Sequence, residues 1–318
     1  MIMVKILIIV VFVVLIIFIY AATTLTKVVL DRNFEMQQDS STLSKDPEEA
    51  ARAVQILCGS EVWREYIKNE GEEWYLSSYD NLKLHAYFLR NDSHNYAVLC
   101  HGFTGSSTEM MGRAEHLYQE GYSVLLPDAR AHGQSEGRYR GMGYLEKSDI
   151  QGWIAKIVEI DKEASIVLMG QSMGAATVIM TSGEKLPENV KAIIADCSYT
   201  SVWDEFSLQI KEMYHLPSFP IMNIANVISK YKAGYTFTEA SPIAAISRNK
   251  LPVLLIHGME DTFVPYAYLD KLYQAANEPK QKLGIEGAGH CMSVVKDGEL
   301  YWKTVDDFLE LYLKRALQ

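Results

Sequence analysis

The sequence contains 318 residues, which is enough for one large α/β domain or two small domains. Apolar residues make up 48% of the chain and charged residues 22%, the composition of an ordinary globular protein. The formal net charge of −10, without a visible basic patch, argues against binding to the phosphate backbone of a nucleic acid. The 4 cysteines have neither C-x-x-C nor His-rich spacing, so the sequence predicts no metal site.

An apolar run without a charge covers residues 6–22, close to the roughly 20 residues that are needed to cross a bilayer. A cleaved signal peptide is the alternative interpretation. We favour an uncleaved anchor within residues 1–26, because the run is longer than the usual signal core of roughly 7–15 residues. Ala21 and Ala22 also offer a poor small-residue cleavage site.

The sequence therefore predicts a single-pass membrane protein, with its catalytic domain on the extracellular side. Charge does not decide this orientation, since Lys5 precedes the span and Lys27 and Arg32 follow it. The residues after the span are polar and rich in Gln, Ser and Asp. We place a linker at residues 27–46 and interpret it as a tether between membrane and domain.

Short apolar segments alternate with helical segments through most of the remaining chain. Residues 74–79 and 82–90 alternate apolar and polar side chains around Asp80-Asn81 and predict an antiparallel hairpin. Buried strands are predicted at 96–100, 123–126, 166–169, 190–195, 252–256 and 281–286, and helices at 47–57, 108–120, 144–159, 266–276 and 301–314. This alternation predicts an α/β protein with a doubly wound, mostly parallel sheet covered on both faces.

Residues 199–245 interrupt the alternation with many aromatic residues and no clear strand. We predict a mostly helical cap here, which divides the core into residues 47–198 and 246–318. A cap over the strand ends is favoured over plain helix packing, because open α/β sheets bind ligands beyond the carboxyl ends of their strands. Trp203 and Phe206 are expected to line an apolar substrate pocket beneath the cap.

A predicted strand at 166–169 leads into G-Q-S-M-G and then into a helix of small and apolar residues. In this strand–turn–helix context, G-x-S-x-G is typical of a nucleophile elbow, with Ser172 exposed at the sharp turn. Such strained dihedrals need flanking positions with almost no side chain, and Gly170 and Gly174 supply them. The pattern predicts Ser172 as a nucleophile.

A serine nucleophile requires a base and an acid, which follow it in the order acid then histidine in this layout. Asp261 lies on a loop after a predicted strand, with Glu260 as the competing acid. His290 follows the last predicted strand through Gly287-Ala288-Gly289. We predict His290 as the base, and we assign His132 a structural role because it precedes Ser172.

The developing oxyanion also needs backbone N–H donors. Met173, directly after the nucleophile, is expected to provide one. The second donor is expected from the loop after His101-Gly102, with Phe103 preferred over Thr104.

Five motifs together resemble the α/β-hydrolase superfamily: H-G-F-T-G, D-x-R-x-H-G-x-S-x-G, G-Q-S-M-G, H-G-x-x-D-x-x-V-P and G-A-G-H. They are most similar to the branch of esterases, lysophospholipases and serine-aminopeptidase-like proteins, which includes membrane-anchored bacterial members. The resemblance runs from Trp74 to the C-terminus, and Ala131 departs from it where that branch often has Gly. It implies an α/β-hydrolase fold with Ser172 as nucleophile, Asp261 as acid, His290 as base, and Phe103 and Met173 as oxyanion donors.

These residues predict a membrane-tethered serine hydrolase that cleaves carboxylic esters through an acyl-enzyme. The expected partners are a small-molecule ester or amide with an apolar acyl group, and the membrane through the N-terminal helix. No cofactor, metal or nucleic acid is implied. A serine peptidase acting on small peptides is the nearest alternative, and a catalytically silent binding protein on the same fold is another.

Overall fold

The core of the protein is one eight-stranded sheet, seen in a computed structural model that describes residues 2–34 and 46–313. The strands lie in the order β1-β2-β4-β3-β5-β6-β7-β8. Strands β1 and β2 form an antiparallel hairpin, β2 pairs antiparallel with β4, and the remaining neighbours are parallel. The strands are β1 Glu72–Ser77, β2 Lys83–Leu89, β3 Asn95–Cys100, β4 Ser123–Pro127, β5 Ser165–Gln171, β6 Val190–Asp196, β7 Val253–Gly258 and β8 Lys280–Ile285.

Helices cover both faces of this sheet, as expected where parallel strands are buried on both sides. One apolar cluster lies between the sheet and the helices that include α5 and α6, and a second lies between the opposite face and α4 and α12. The helices are α1 Ile2–Leu30, α2 Pro47–Cys58, α3 Glu61–Glu70, α4 Met111–Gln119, α5 Glu146–Ile160, α6 Met173–Ser182, α7 Val202–Tyr214, α8 Ser218–Ala233, α9 Pro242–Ile246, α10 Ala267–Ala275, α11 Ser293–Lys296 and α12 Gly298–Tyr312.

The predicted fold class is confirmed by this architecture. Three helical details differ from the sequence-based prediction. The helix predicted at 108–120 begins as a 3₁₀ turn, Ser107–Met110, before α4. Helix α3, capped by the Ser60 side chain, had no predicted counterpart because its apolar face is only two residues, Trp63 and Ile67. The last helix ends at Tyr312, and the predicted end at residue 314 lies outside the described residues.

Helix α1 differs most from the prediction, because it does not end at residue 26. It continues to Leu30, and its last turns pack against α8. Asp31 then forms a β-bridge with Tyr139. The first residues of the predicted linker at 27–46 are therefore helical and packed against the domain. Val29 and Leu30 are apolar and belong to the core cluster. Residues 35–45 of that linker lie outside the described residues.

Residues 199–245 carry helices α7, α8 and α9. Helix α7 begins at Val202, where the Ser201 hydroxyl accepts a hydrogen bond from the Asp204 N–H and caps the first turn. The segment leaves the sheet after β6 and returns to it at β7, so these helices lie at the carboxyl end of the strands. That edge also holds the end of β5 and the turn at Ser172.

Candidate active site

Ser172 occupies a strained turn between β5 and α6. Its backbone has φ 53° and ψ −115°, a region that L-residues rarely adopt. A Cβ on Gly170 would lie 2.2 Å from the Gly174 carbonyl oxygen, and one on Gly174 would lie 2.0 Å from the Cys100 carbonyl oxygen. Only glycine fits at both positions, because the first turn of α6 packs directly against β5 and β3.

The side chain of His290 lies beside Ser172, with 3.0 Å between Nε2 and the Ser172 Oγ. Its Nδ1 is 2.7 Å from Oδ2 of Asp261. The carboxylate holds the proton on Nδ1, which leaves Nε2 free to accept the proton of the serine hydroxyl. The structure thus brings together the three residues that the sequence predicts as nucleophile, acid and base.

Asp261 is fixed on the loop after β7 by its other oxygen. Oδ1 accepts hydrogen bonds from the backbone N–H groups of Phe263 and Val264, at 3.0 and 2.8 Å. Burial raises the pKa of Asp261, but hydrogen bonds from His257 and His290 outweigh it and lower that pKa to about 2. Asp261 is therefore charged at neutral pH, whereas the competing acid Glu260 is exposed to solvent.

The pKa of His290 lies well above its ordinary value. Burial lowers this pKa, while the neighbouring Cys197 sulfur and the Asp261 carboxylate raise it more. We attribute the rise to Asp261, because burial also raises the pKa of the Cys197 thiol and keeps that sulfur neutral.

The directions of the two predicted oxyanion donors, the N–H groups of Phe103 and Met173, follow from the hydrogen bonds of the carbonyl in the same peptide group. In a trans peptide the N–H points opposite to the C=O. The Gly102 carbonyl accepts from His101 Nδ1 at 2.7 Å and from the Gly105 N–H at 3.3 Å, which orients the Phe103 N–H away from both groups. The Ser172 carbonyl accepts from the Ala176 N–H at 3.0 Å, inside α6. The N–H of Met173 therefore points out of the positive end of that helix.

His101 has a positioning role that its sequence context did not reveal. Its Nε2 accepts a hydrogen bond from the Ala129 N–H at 3.0 Å, so Nδ1 carries the proton that is donated to Gly102. Burial lowers the pKa of His101, which keeps this neutral form at neutral pH. The ring ties the loop before Phe103 to the loop after β4. His132 packs edge-on against this ring, with 5.1 Å between the two ring centroids.

A buried polar network supports the turn from below. The carbonyl oxygen of Asp196 accepts the Ser172 N–H at 2.8 Å. The Asp196 carboxylate contacts Arg113 Nη2 at 3.1 Å and the hydroxyls of Ser293 and Tyr301 at 3.2 and 3.3 Å. One residue therefore links the nucleophile to the helix that follows His290. Its position directly after an apolar strand was the signal available in the sequence.

One group of side chains has the donor atoms for a metal ion. The ligand atoms of Cys197, His290 and Cys291 lie within 4.8 Å of one another, and the two sulfurs are 3.5 Å apart. Both nitrogens of His290 are already hydrogen-bonded, to Ser172 and to Asp261. A metal ion bound here would have to displace Ser172 or Asp261 from His290. Metal binding therefore competes with the two hydrogen bonds of His290.

A cavity of about 600 Å³ opens over Ser172 and Met173. Its walls are mostly apolar and come from α7, from the loop that contains Phe103, and from α1. Of the two predicted pocket residues, Phe206 lines this cavity. Trp203, in the first turn of α7, is not among the residues that line the cavity and packs against the core cluster.

Glu205 is the acidic side chain in the cavity wall, and the sequence did not single it out. It is 3% exposed. Its Oε1 accepts from Gln209 at 3.0 Å, while its Oε2 has no hydrogen-bond partner among the described residues. Burial raises the pKa of Glu205 to about 7. The cavity wall therefore contains one buried carboxyl oxygen without a hydrogen-bond partner among the described residues.

Residues 98–216 match the sequence model of the α/β-hydrolase fold family. The Bacillus subtilis protein YqkD is 29% identical over 255 residues, which cover 79% of this chain and 83% of that protein. A Pyrococcus furiosus esterase superposes with a TM-score of 0.64 at 24% identity, over 78% of this chain and 94% of the esterase chain. A Pyrococcus horikoshii acylaminoacyl peptidase gives 0.57 at 16% identity, over 76% of this chain and 41% of the peptidase chain. The sheet order, the sequence match over residues 98–216 and these structural likenesses show that the chain has the α/β-hydrolase fold.

Proposed function

We propose that the protein is a serine hydrolase that cleaves carboxylic esters through an acyl-enzyme. The observation that carries this proposal is the unbroken chain of hydrogen bonds from Ser172 through His290 to Asp261, at 3.0 and 2.7 Å. The strained turn at Ser172 supports it further, because such strain persists only where the surrounding structure enforces it. The similarity to a solved esterase agrees with this chemistry.

In the acylation step, the Ser172 Oγ attacks the ester carbonyl carbon while its proton passes to His290 Nε2. The carbonyl oxygen becomes an oxyanion and accepts hydrogen bonds from the N–H groups of Phe103 and Met173. When this intermediate collapses, the carbon–oxygen bond to the leaving group breaks. The alkoxide takes the proton from Nε2 and departs as an alcohol.

Deacylation repeats these steps with water as the nucleophile. His290 Nε2 takes a proton from water as the oxygen attacks the acyl carbon. Collapse breaks the bond to Ser172 Oγ, which recovers the proton from Nε2, and the carboxylic acid leaves. Asp261 stays ionised throughout and stabilises the imidazolium that forms in each half-reaction.

A serine peptidase acting on small peptides is the second candidate, and Glu205 is the observation that favours it. A carboxylate in the same cavity as the nucleophile would bind the ammonium group of a peptide N-terminus. Glu205→Gln would then weaken the cleavage of an aminoacyl p-nitroanilide and leave neutral p-nitrophenyl esters unaffected. Faster cleavage of the anilide than of every ester by wild-type protein would favour the peptidase.

Covalent labelling tests the proposal against a catalytically silent binding protein. A fluorophosphonate probe should label the wild-type protein, and Ser172→Ala should abolish labelling. Thr177→Ser is a suitable control, since Thr177 is buried one turn into the same helix. A folded wild-type protein that stays unlabelled would overturn the proposed function.

Helix α1 supports the membrane-anchor proposal by length and composition. Its 29 residues have an 18-residue window of mean hydropathy 3.5 that is 0% buried. A signal sequence has the same composition, so the proposal that α1 is retained is tested by the mass of the mature protein. The extracellular placement of the domain is tested by protease accessibility in sealed cells.

A further inference from the structure

The wall of the cavity over Ser172 includes the apolar N-terminal helix. Ile17, Tyr20, Ala21 and Leu25 of α1 line the same cavity as Ser172. They lie on one side of the helix, at the i, i+3, i+4 and i+8 spacing of a single face. A molecule that fills the cavity therefore contacts both α1 and the nucleophile.

The helix is held in a fixed position relative to the catalytic domain. Val29 and Leu30 are fully buried in the core cluster. The Arg140 N–H donates to the Leu30 carbonyl at 2.8 Å, and Asp31 forms a bridge with Tyr139. Helix α1 is thus part of the domain where the two meet, whereas a flexible tether would leave its side chains exposed.

The positions of two lysines indicate how deep this wall lies in a membrane. The part of α1 without charged residues runs between Lys5 and Lys27. At 1.5 Å per residue it is about 32 Å long. That length matches the hydrocarbon core of a bilayer, about 30 Å thick. With a lysine at each boundary, Ile17 and Leu25 lie in the half of the bilayer that is next to the domain.

Several of the apolar side chains that line the cavity are also exposed to solvent. Tyr20 of α1 and Tyr214 of α7 line the cavity and are 74% and 60% exposed. Met213 and Leu216 also line it while remaining exposed, and Phe219, near the start of α8, is 74% exposed. Water is an unfavourable environment for such a patch. The apolar interior of a bilayer suits it.

We infer that α1 is a substrate-binding element as well as an anchor, and that the substrate is a long-chain acyl ester dissolved in the bilayer. This inference rests on the proposed esterase function. The acyl chain enters the cavity sideways, between α1 and the connection from α7 to α8. It passes from one apolar environment to another, so it never has to be exposed to water. The ester carbonyl stops at Ser172, where the apolar wall meets polar groups.

The test uses the full-length protein in phospholipid nanodiscs, with p-nitrophenyl palmitate in the bilayer and p-nitrophenyl acetate in the water. Ala21→Trp fills the cavity from the α1 side. Thr23→Trp adds the same ring to an exposed position of α1 outside the lining. We expect Ala21→Trp to lower the ratio of palmitate to acetate turnover by about tenfold, and Thr23→Trp to leave it unchanged.

Two results would contradict the inference. A ratio that is the same in Ala21→Trp and wild type, or a mature wild-type chain that begins after Ala22, would overturn it. Labelling by a short-chain fluorophosphonate shows that each variant retains its site, and Leu25→Trp replaces Ala21→Trp if that variant does not fold. Failure of the proposed function has a different result, because wild-type protein would then hydrolyse neither ester and would remain unlabelled.

Discussion

The two sides of the cavity over Ser172 are built in different ways. The side that carries Ser172 is held by backbone contacts, such as the close approach of Gly174 to the Cys100 carbonyl. Its polar groups are tied by short hydrogen bonds, including those of Asp261 and His101. The opposite side, from α1 and α7, consists mostly of apolar side chains, with Glu205 and Gln209 among its few polar groups.

The groups proposed for catalysis lie on the first side, and those proposed to select the acyl chain lie on the second side. Hydrogen bonds are directional, so a small displacement on the first side would misalign a proton transfer. Apolar contacts are non-directional and depend on the area that is buried. We therefore expect changes on the first side to affect all substrates. Changes on the second side should affect substrates according to the size of the acyl group.

Asp261→Asn should have the largest effect on the first side. The amide oxygen can still accept from Phe263 and Val264, which places the NH₂ group opposite His290 Nδ1. The proton then moves to Nε2, which can no longer accept the serine proton. We expect turnover of every ester to fall by about 10⁴-fold. Glu260→Gln, one position earlier and exposed, should have no such effect, and the opposite order would reassign the acid.

Gly174→Ala should break the same side through the backbone. The new Cβ would lie 2.0 Å from the Cys100 carbonyl oxygen and 2.6 Å from that of His101. Neither oxygen belongs to a movable side chain, so we expect a loss of about 3 kcal/mol or more in stability. The melting temperature should fall by about 6 to 12 °C. Gly298→Ala is the matched control, because nothing lies within 4 Å of its added Cβ. If Gly174→Ala melts at the same temperature as Gly298→Ala, the turn at Ser172 can shift to accommodate the added Cβ.

His101→Ala tests whether the Phe103 peptide must be held in place. Without the ring, the Gly102 carbonyl loses its 2.7 Å donor, and the Phe103 N–H is free to rotate away from the oxyanion. We expect kcat to fall by about 10- to 100-fold with little change in KM. His101→Asn keeps a donor near the Nδ1 position and should recover part of the loss.

A purely structural role for His101 predicts a different pattern. Asparagine would then rescue no activity, and the loss of kcat would follow the loss of thermal stability. His94→Ala is the control histidine, since its exposed ring lies away from the site and pairs with Asp161 and Glu163.

The sequence predicts the first side of the cavity well and the second side poorly. Ser172, Asp261 and His290 follow three separate strands, and parallel strands bring such residues to one edge of the sheet. The fold class follows from the same alternation. The structure brings these three side chains together because backbone topology fixes where the strands end, and glycines and strand-end polar residues are visible in the sequence.

The residues that the sequence missed depend on contacts between distant apolar surfaces. Helix α1 has a continuous apolar sequence, which predicts a membrane span but does not indicate which face packs against α8. Glu205 looks like an ordinary charge in the first turn of a helix, and only its burial makes it unusual. Trp203 and Phe206 are both aromatic residues of one helix, and only the packing of α7 decides which one faces the cavity.

Trp203 and Phe206 allow a test of whether the wall from α7 selects the acyl chain. Each buried methylene contributes about 0.8 kcal/mol, close to a fourfold gain in affinity. For wild-type protein we therefore expect kcat/KM to rise with acyl length from acetyl esters onwards. Phe206→Ala should flatten this rise, because its ring lines the cavity. Trp203→Ala should leave the slope intact and lower thermal stability instead, since its ring packs against the core. If both variants keep the wild-type dependence of kcat/KM on acyl length, α7 does not select the acyl chain. Selection would then be assigned to α1 alone.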